Sequence, residues 1–181
     1  MFKVSADTVM TKDILHKYIN KHQQIVSKRY QDLDRAYRSD YKIFRQARKP
    51  SYKPDNRLAV NFGKYIVDTM NGFFIGNPIK ITSDDEAASA YVELLSQYND
   101  QDNNDAELSK LCDIFGRAYE MYYIDEKGME GITYLSPMQS FMITDDSILE
   151  RPLYFVRLYR DEDNVMHGSV ADVEQVLWFT I

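Results

Sequence analysis

Asn56-Arg57-Leu58-Ala59-Val60-Asn61-Phe62-Gly63-Lys64-Tyr65-Ile66-Val67-Asp68-Thr69-Met70-Asn71-Gly72-Phe73-Phe74-Ile75-Gly76-Asn77-Pro78-Ile79 reads as one capped helix and its stop. Asn56 is of a residue type whose side chain accepts from the free amides of a first helical turn. Leu58, Phe62, Tyr65/Ile66, Thr69/Met70 and Phe73 recur at the spacing of one helical side, so the helix is expected to run to about Phe74. Gly76-Asn77-Pro78 ends it, since proline lacks the amide that the next turn needs and restricts the residue before it. The apolar face is wide.

Upstream, Thr11 can cap a long amphipathic helix, or two in line, whose apolar positions are Ile14/Leu15, Tyr18/Ile19, Ile25/Val26, Tyr30, Leu33 and Tyr37. Its other side carries Lys17, Lys21, Lys28, Arg29, Arg35 and Arg38. Lys42, Arg45, Arg48, Lys49 and Lys53 follow in a segment that Pro50 and Pro54 keep from being helical, a basic connector. Downstream, Ile79–Thr82 reads as a short strand. Ser83 with Glu86 three residues on forms a capping box for a helix through Ala87, Tyr91, Leu94/Leu95 and Tyr98. The polar run Asn99–Asp105 breaks that helix, and Asn104 with Glu107 opens another through Leu108, Leu111/Cys112, Phe115 and Ala118 or Tyr119.

After Tyr119 the period falls to two and β-favouring residues dominate, which predicts strands at Tyr119–Asp125, Gly131–Leu135, Ser140–Thr144, Leu153–Arg160 and Asp172–Thr180. Glu126-Lys127-Gly128, Thr144-Asp145-Asp146 and Asp161-Glu162-Asp163-Asn164 are the turns between antiparallel neighbours. The fold class is α+β: long helices first, then a mostly antiparallel meander. The expected division is an N-terminal helical arm with its basic connector over 1–56 and an α+β core over 57–181. Val173–Ile181 is an apolar strand with no closing turn, which pairs with the meander or marks a chain cut within a larger protein.

The 181 residues are 44% apolar with only 7 Gly and 5 Pro, which supports an ordered core and excludes disordered and collagen-like classes. Cys112 is the single cysteine, so no internal disulfide, Cys-rich zinc site or CxxC pair can be built, which suits a reducing cytoplasm. No apolar run approaches the ~20 residues of a membrane span, and Lys3, Asp7, Lys12 and Asp13 interrupt the start as no secretory signal would. The net charge of −6 is split: Lys17–Arg57 carries 12 Lys/Arg against 4 Asp/Glu, whereas 8 basic and 22 acidic residues follow from Leu58 on. A uniformly basic DNA-coating protein is excluded, and any polyanion contact falls to 17–57.

No catalytic constellation emerges. Asp100–Asp105 begins like a calcium loop but has Asp105 where the glycine should be and Leu111 where the bidentate glutamate should be. Asp84-Asp85-Glu86 suits the first turn of a helix, where carboxylates complement the dipole. His16 and His22 are six apart, on different faces, and Cys112 sits on an apolar face as an inert thiol. Phosphate-loop, dinucleotide and nucleophile-elbow motifs are absent from the sequence, so no metal or cofactor is expected and the chain reads as a non-enzyme. A metal-dependent hydrolase would need three dispersed carboxylates to converge. The basic stretch, interleaved with Tyr30, Tyr37, Tyr41, Phe44 and Tyr52, has partners for phosphates and stacking surfaces for bases. Its plainer reading is pairing with acidic residues, within one chain or across a subunit boundary.

Lys53–Ile79 also resembles a hallmark of the tailed-bacteriophage, siphophage-type portal protein family. That family carries a Pro-Asn-rich lead-in, an Asn-x-x-x-Tyr-Ile-Val-Asp helix, here Asn61 to Asp68, and an aromatic-Gly-x-Pro-Ile step, here Phe74 to Ile79. Gly116-Arg117-Ala118-Tyr119-Glu120 is similar to its helix-to-strand step. Ser136-Pro137, Pro152-Leu153-Tyr154-Phe155-Val156-Arg157 and Val173–Thr180 look like its next strands. The family's Tyr-Tyr-containing basic loop departs here to Tyr37-Arg38-Ser39-Asp40-Tyr41. The resemblance spans most of residues 11–180, and family members are longer. It implies the N-terminal part of a portal wing: a structural ring subunit, usually in a dodecamer, at the capsid vertex of the virion, assembled in the host cytoplasm. Double-stranded DNA passes through the ring's channel, and the terminase motor, head–tail adaptor and capsid proteins are its partners through regions mostly outside this sequence. It further implies that Tyr65, Ile66, Phe73 and Phe74 bury in the wing core, and that Arg35, Arg38, Lys42 and Arg45 line a subunit boundary or DNA-proximal surface. The alternative is a nucleic-acid-binding module built on 17–57.

Overall fold

Thr11 starts the first helix as read: its backbone is extended and its Oγ1 accepts from the Ile14 amide at 3.4 Å. The structure, a computed structural model, describes residues 2–181. In chain order the elements are β1 (Phe2–Val4), α1 (Lys12–Ile25), a π-helical turn (Val26–Tyr30), α2 (Gln31–Tyr37), α3 (Lys42–Arg45), α4 (Phe62–Ile75), α5 (Glu86–Asn99) and α6 (Gln101–Phe115). Then come β2 (Tyr119–Ile124), β3 (Glu130–Leu135), β4 (Ser140–Asp145), β5 (Pro152–Arg160), β6 (Met166–Ala171) and β7 (Val176–Thr180). Helices precede a mostly antiparallel sheet region, so the α+β class holds.

Contacts divide the chain into two compact units. One comprises the described residues up to Arg29 together with Ser136–Ile181, and the other is Tyr30–Leu135. Neither break falls at the Asn56/Arg57 boundary drawn on the sequence.

The first unit is a five-stranded sheet of order β1-β4-β5-β6-β7, antiparallel throughout except for the parallel pair β1–β4. Alternation along β4 and β5 sends Phe141, Ile143, Val156 and Leu158 to the face that α1 covers with Leu15, Tyr18 and Ile19, and Val170 of β6 completes that core. The short β1 is fixed by more than its ladder. Thr144 Oγ1 donates to Phe2 O at 3.3 Å, Tyr18 Oη donates to Lys3 O at 3.0 Å, and the Phe2 ring meets Phe141 edge-on at 5.3 Å.

His22 closes this core at 3% exposure, its ring against Phe141 at 4.6 Å. Nε2 lies 2.8 Å from the Pro137 carbonyl, which can only accept, so Nε2 carries the proton and donates, while the buried Nδ1 has no partner. Burial, opposed by that hydrogen bond, holds the imidazole below its ordinary pKa of 6.5. The unfolded chain therefore takes up a proton at His22 before the folded one does. The neutral ring's stabilisation is complete above about pH 6.5 and is lost as pH falls toward the lowered folded value. Urea titrations between about pH 7 and pH 5.5 should show a steeper loss of stability in the native protein than in His22→Gln. Equal slopes would mean that the ring ionises in place.

The second unit hangs the β2–β3 hairpin on the junction of α5 and α6. Asn99 Oδ1 accepts from the Ile132 amide at 2.7 Å and its Nδ2 donates to Glu130 O at 3.0 Å, while Asn104 Nδ2 donates to Ile132 O at 3.0 Å. The two asparagines thus satisfy three backbone groups of β3 that the two-stranded sheet leaves open. Tyr30 and Phe115 meet edge-on at 5.6 Å, and α4 packs along α6.

Several expectations change. The helix cap is Asn61, not Asn56: Asn61 Oδ1 accepts from the Lys64 amide at 2.8 Å while Nδ2 donates to Ala36 O and Tyr37 O, so its whole amide is engaged there. Ile79–Thr82 finds no strand to pair with and forms none. Asn99–Asp105 is not a loop. Asp100 alone turns the chain, in the left-handed region at φ 49°, and Asn104 lies inside α6. The helix after Ser83 is capped by Asp85, whose Oδ1 accepts from the Ala87 amide at 3.0 Å, and not by a Ser83–Glu86 box. Two strands are additional: β1, and β6 between β5 and β7.

Candidate interface surfaces

The basic stretch acquires its geometry from Arg57. Proline restriction leaves residues 46–61 without regular structure, and the Arg57 guanidinium, with only 17% of its side chain exposed, holds them by donating to three carbonyls. The acceptors are Gln46 O at 2.6 Å, Ala47 O at 2.7 Å and Ile43 O at 3.3 Å. Asp55 completes the fork at 2.7 Å, and this hydrogen bond from Arg57 holds its carboxyl below the usual range.

Of the four cations singled out on the sequence, three come together. Arg35, Lys42 and Arg45 line a cleft of about 340 Å³ with Asp32, Asp40 and Tyr41. Arg38 is outside it. Arg35 pairs with Asp32 at 3.4 Å, Arg38 with Asp34 at 2.9 Å, and Arg45 with Asp40, its Nε at 3.0 Å. Each of these arginines is matched by a carboxylate from its own stretch, which weakens its pull on a phosphate. Lys42 and Arg48 have no such partner among the described residues.

The four residues expected in a core are on the surface of this chain: Tyr65 is 67% exposed, Ile66 59%, Phe73 88% and Phe74 74%. The side of α4 that is partly covered is the narrow row Val67, Asn71 and Ile75, whereas Phe62, Tyr65, Ile66, Met70, Phe73 and Phe74 of the wide apolar face are each more than half exposed. Periodicity shows which residues share a face, not what covers it. On the polar side of α4, Asp68 accepts from Lys64 at 2.8 Å and from Tyr37 at 2.7 Å, and both, Lys64 first, hold its carboxyl low.

Beside that face runs an apolar cleft of about 570 Å³ between α4 and α6, lined by Phe73, Phe74, Ile79 and Leu108 together with the carboxylates Asp105 and Asp113. Cys112 opens into it as an exposed thiol, not the buried one its apolar flanks suggested, and partial desolvation raises its pKa. His167 Nε2 donates to Asp161 at 2.7 Å with Thr180 Oγ1 3.0 Å from Nδ1, joining the β5–β6 turn to β7. Among the described residues, no three His, Cys, Asp or Glu side chains are grouped to hold a metal ion, and no helix is long and apolar enough to cross a membrane.

Polar groups locked in local pairs, beside outward-facing apolar and charged faces, give this chain the surface of an assembly component. The chain belongs to the family described as Phage portal protein, SPP1 Gp6-like, which it matches over residues 15–180. The family is a structural one of the phage virion. No curated protein matches the sequence.

Proposed function

We propose that the protein carrying this chain assembles as a homo-oligomeric ring at the capsid vertex, through which double-stranded DNA is packaged and later ejected. The observation that carries this reading is the family match over residues 15–180, nearly the whole sequence. In that ring, capsid, terminase and head–tail adaptor proteins are the partners, and Tyr65, Ile66, Phe73 and Phe74 lose their exposure to neighbouring protein. Arg35, Arg38, Lys42 and Arg45 belong at a subunit boundary in preference to a DNA-facing surface, because three of the four are already neutralised by Asp32, Asp34 and Asp40. Such a subunit contributes shape and contacts, not catalysis.

Negative-stain images of the gene product that carries this chain test the reading. Rings with a central channel are expected. Particles that never close into rings, together with DNA affinity that falls steeply with salt and on Arg35, Arg38, Lys42 and Arg45 substitution, would replace it with a nucleic-acid-binding module.

A further inference from the structure

The wide face of α4 and the cleft beside it need an occupant, because a run of large apolar side chains from Phe62 to Ile81 left in water is unlike the surface of a soluble monomer. The two carboxylates in its lining restrict the choice. Asp105 accepts only from neutral Gln101, at 2.8 Å, and neither it nor Asp113 has a cation within ion-pair distance among the described residues. An occupant must be apolar and carry cations for these two carboxylates. Nucleic acid has the wrong sign for them.

The same unit displays such a segment. Ile43 and Phe44 project from α3 into solvent, 40% and 47% exposed. They are flanked by Lys42 and Arg48, neither of which has a carboxylate within ion-pair distance among the described residues. The Arg57 hydrogen bonds to the carbonyls of Ile43, Gln46 and Ala47 hold the segment in place, so presenting it costs little further ordering.

We propose that the α4/α6 cleft of one copy receives the Ile43–Phe44 knob of a second copy, with Lys42 and Arg48 set against Asp105 and Asp113. Knob and cleft are different patches, so the contact is heterologous: each copy receives one neighbour and offers its knob to the next, the geometry that closes into a ring or runs on as a filament. The inference rests on the ring reading and adds the surfaces through which neighbours meet.

Cys112 supplies a native probe in the cleft. In the full-length gene product, Phe44→Cys treated with diamide should yield a ladder of disulfide-linked multimers, and Cys112→Ser should abolish it. Val173→Cys, an exposed loop position of the first unit that belongs to neither patch, should give about tenfold less multimer. Lys42→Glu with Arg48→Glu should reduce the ladder by a similar factor, and adding Asp105→Lys with Asp113→Lys should restore it. Images of the untreated protein separate the two ideas. Rings without the ladder would overturn this docking and leave the ring reading standing. A ladder without rings would support the docking and remove the ring. A purely intramolecular disulfide, seen as a faster-running monomer, or a ladder indifferent to charge reversal would overturn the docking.

Discussion

Replacing Ile143 by alanine should lower the unfolding free energy by about 2–5 kcal/mol, the range for removing most of a buried aliphatic side chain. Ile143 has no exposed surface. It is the central residue of β4, opposite Phe2 on one side and Tyr154 on the other, and packs in the core of Leu15, Tyr18, Ile19, Phe141, Val156, Leu158 and Val170. Because strands flank it on both sides, the cavity can close only by moving two ladders, which places the loss toward the upper half of that range. Urea denaturation followed by the single Trp178 measures it. Ile148→Ala is the control, since that side chain is fully exposed and should change stability by less than about 0.5 kcal/mol. Similar small effects at both positions would show that β4 is not where the first unit's stability resides.

Gly168→Ala should cost about 1–3 kcal/mol although it removes nothing. Gly168 sits in β6 between Leu158 of β5 and Phe179 of β7, and the Phe179 ring lies over the place where a side chain would stand. A methyl there would come within 2.6 Å of the Arg157 carbonyl oxygen, which the sheet holds fixed, and would run into the ring, which can swing away. The ring therefore gives first. Amide exchange should accelerate across Val176–Thr180 more than across β5, and the urea midpoint should drop with m unchanged. An unaltered midpoint would mean that the sheet opens at Gly168 without penalty.

These two residues also show which parts of the fold the sequence discloses. Ile143 sits in a short run of apolar and β-favouring residues closed by the Asp145-Asp146 turn, and β4 and β5 are read almost to the residue because polar turns bound both runs. The strand β6 escapes because Met166-His167-Gly168-Ser169-Val170-Ala171 contains only one β-branched aliphatic residue: a strand between two others is held by its ladders, and its composition can be weak. The three-residue β1 escapes because its partner lies some 140 positions away, beyond any local signal. At the surface, chemistry was legible and coverage was not. The cations of the first third were identifiable by type, but that Asp32, Asp34 and Asp40 neutralise three of them depends on side-chain placement. The apolar residues of α4 were identifiable by spacing, yet a helix with one narrow covered row and one bare face has the same periodicity as a fully buried one. Asn99 and Asn104 read as loop and cap residues because asparagine favours both; their use as anchors for β3 follows from contacts no motif records.

The discontinuity of the first unit carries a consequence for how the chain is made. Residues 30–135 are contiguous, so their helices and hairpin can assemble while the ribosome is still adding the rest. Phe2, Tyr18 and Ile19 emerge before this stretch but bury against Phe141, Val156 and Val170, which emerge after it. While residues 30–135 are being made the amphipathic α1 is without its sheet, the interval in which a chaperone would hold it. A nascent chain stalled before Ser140 should be protease-sensitive over residues 2–29 and already resistant over residues 30–135.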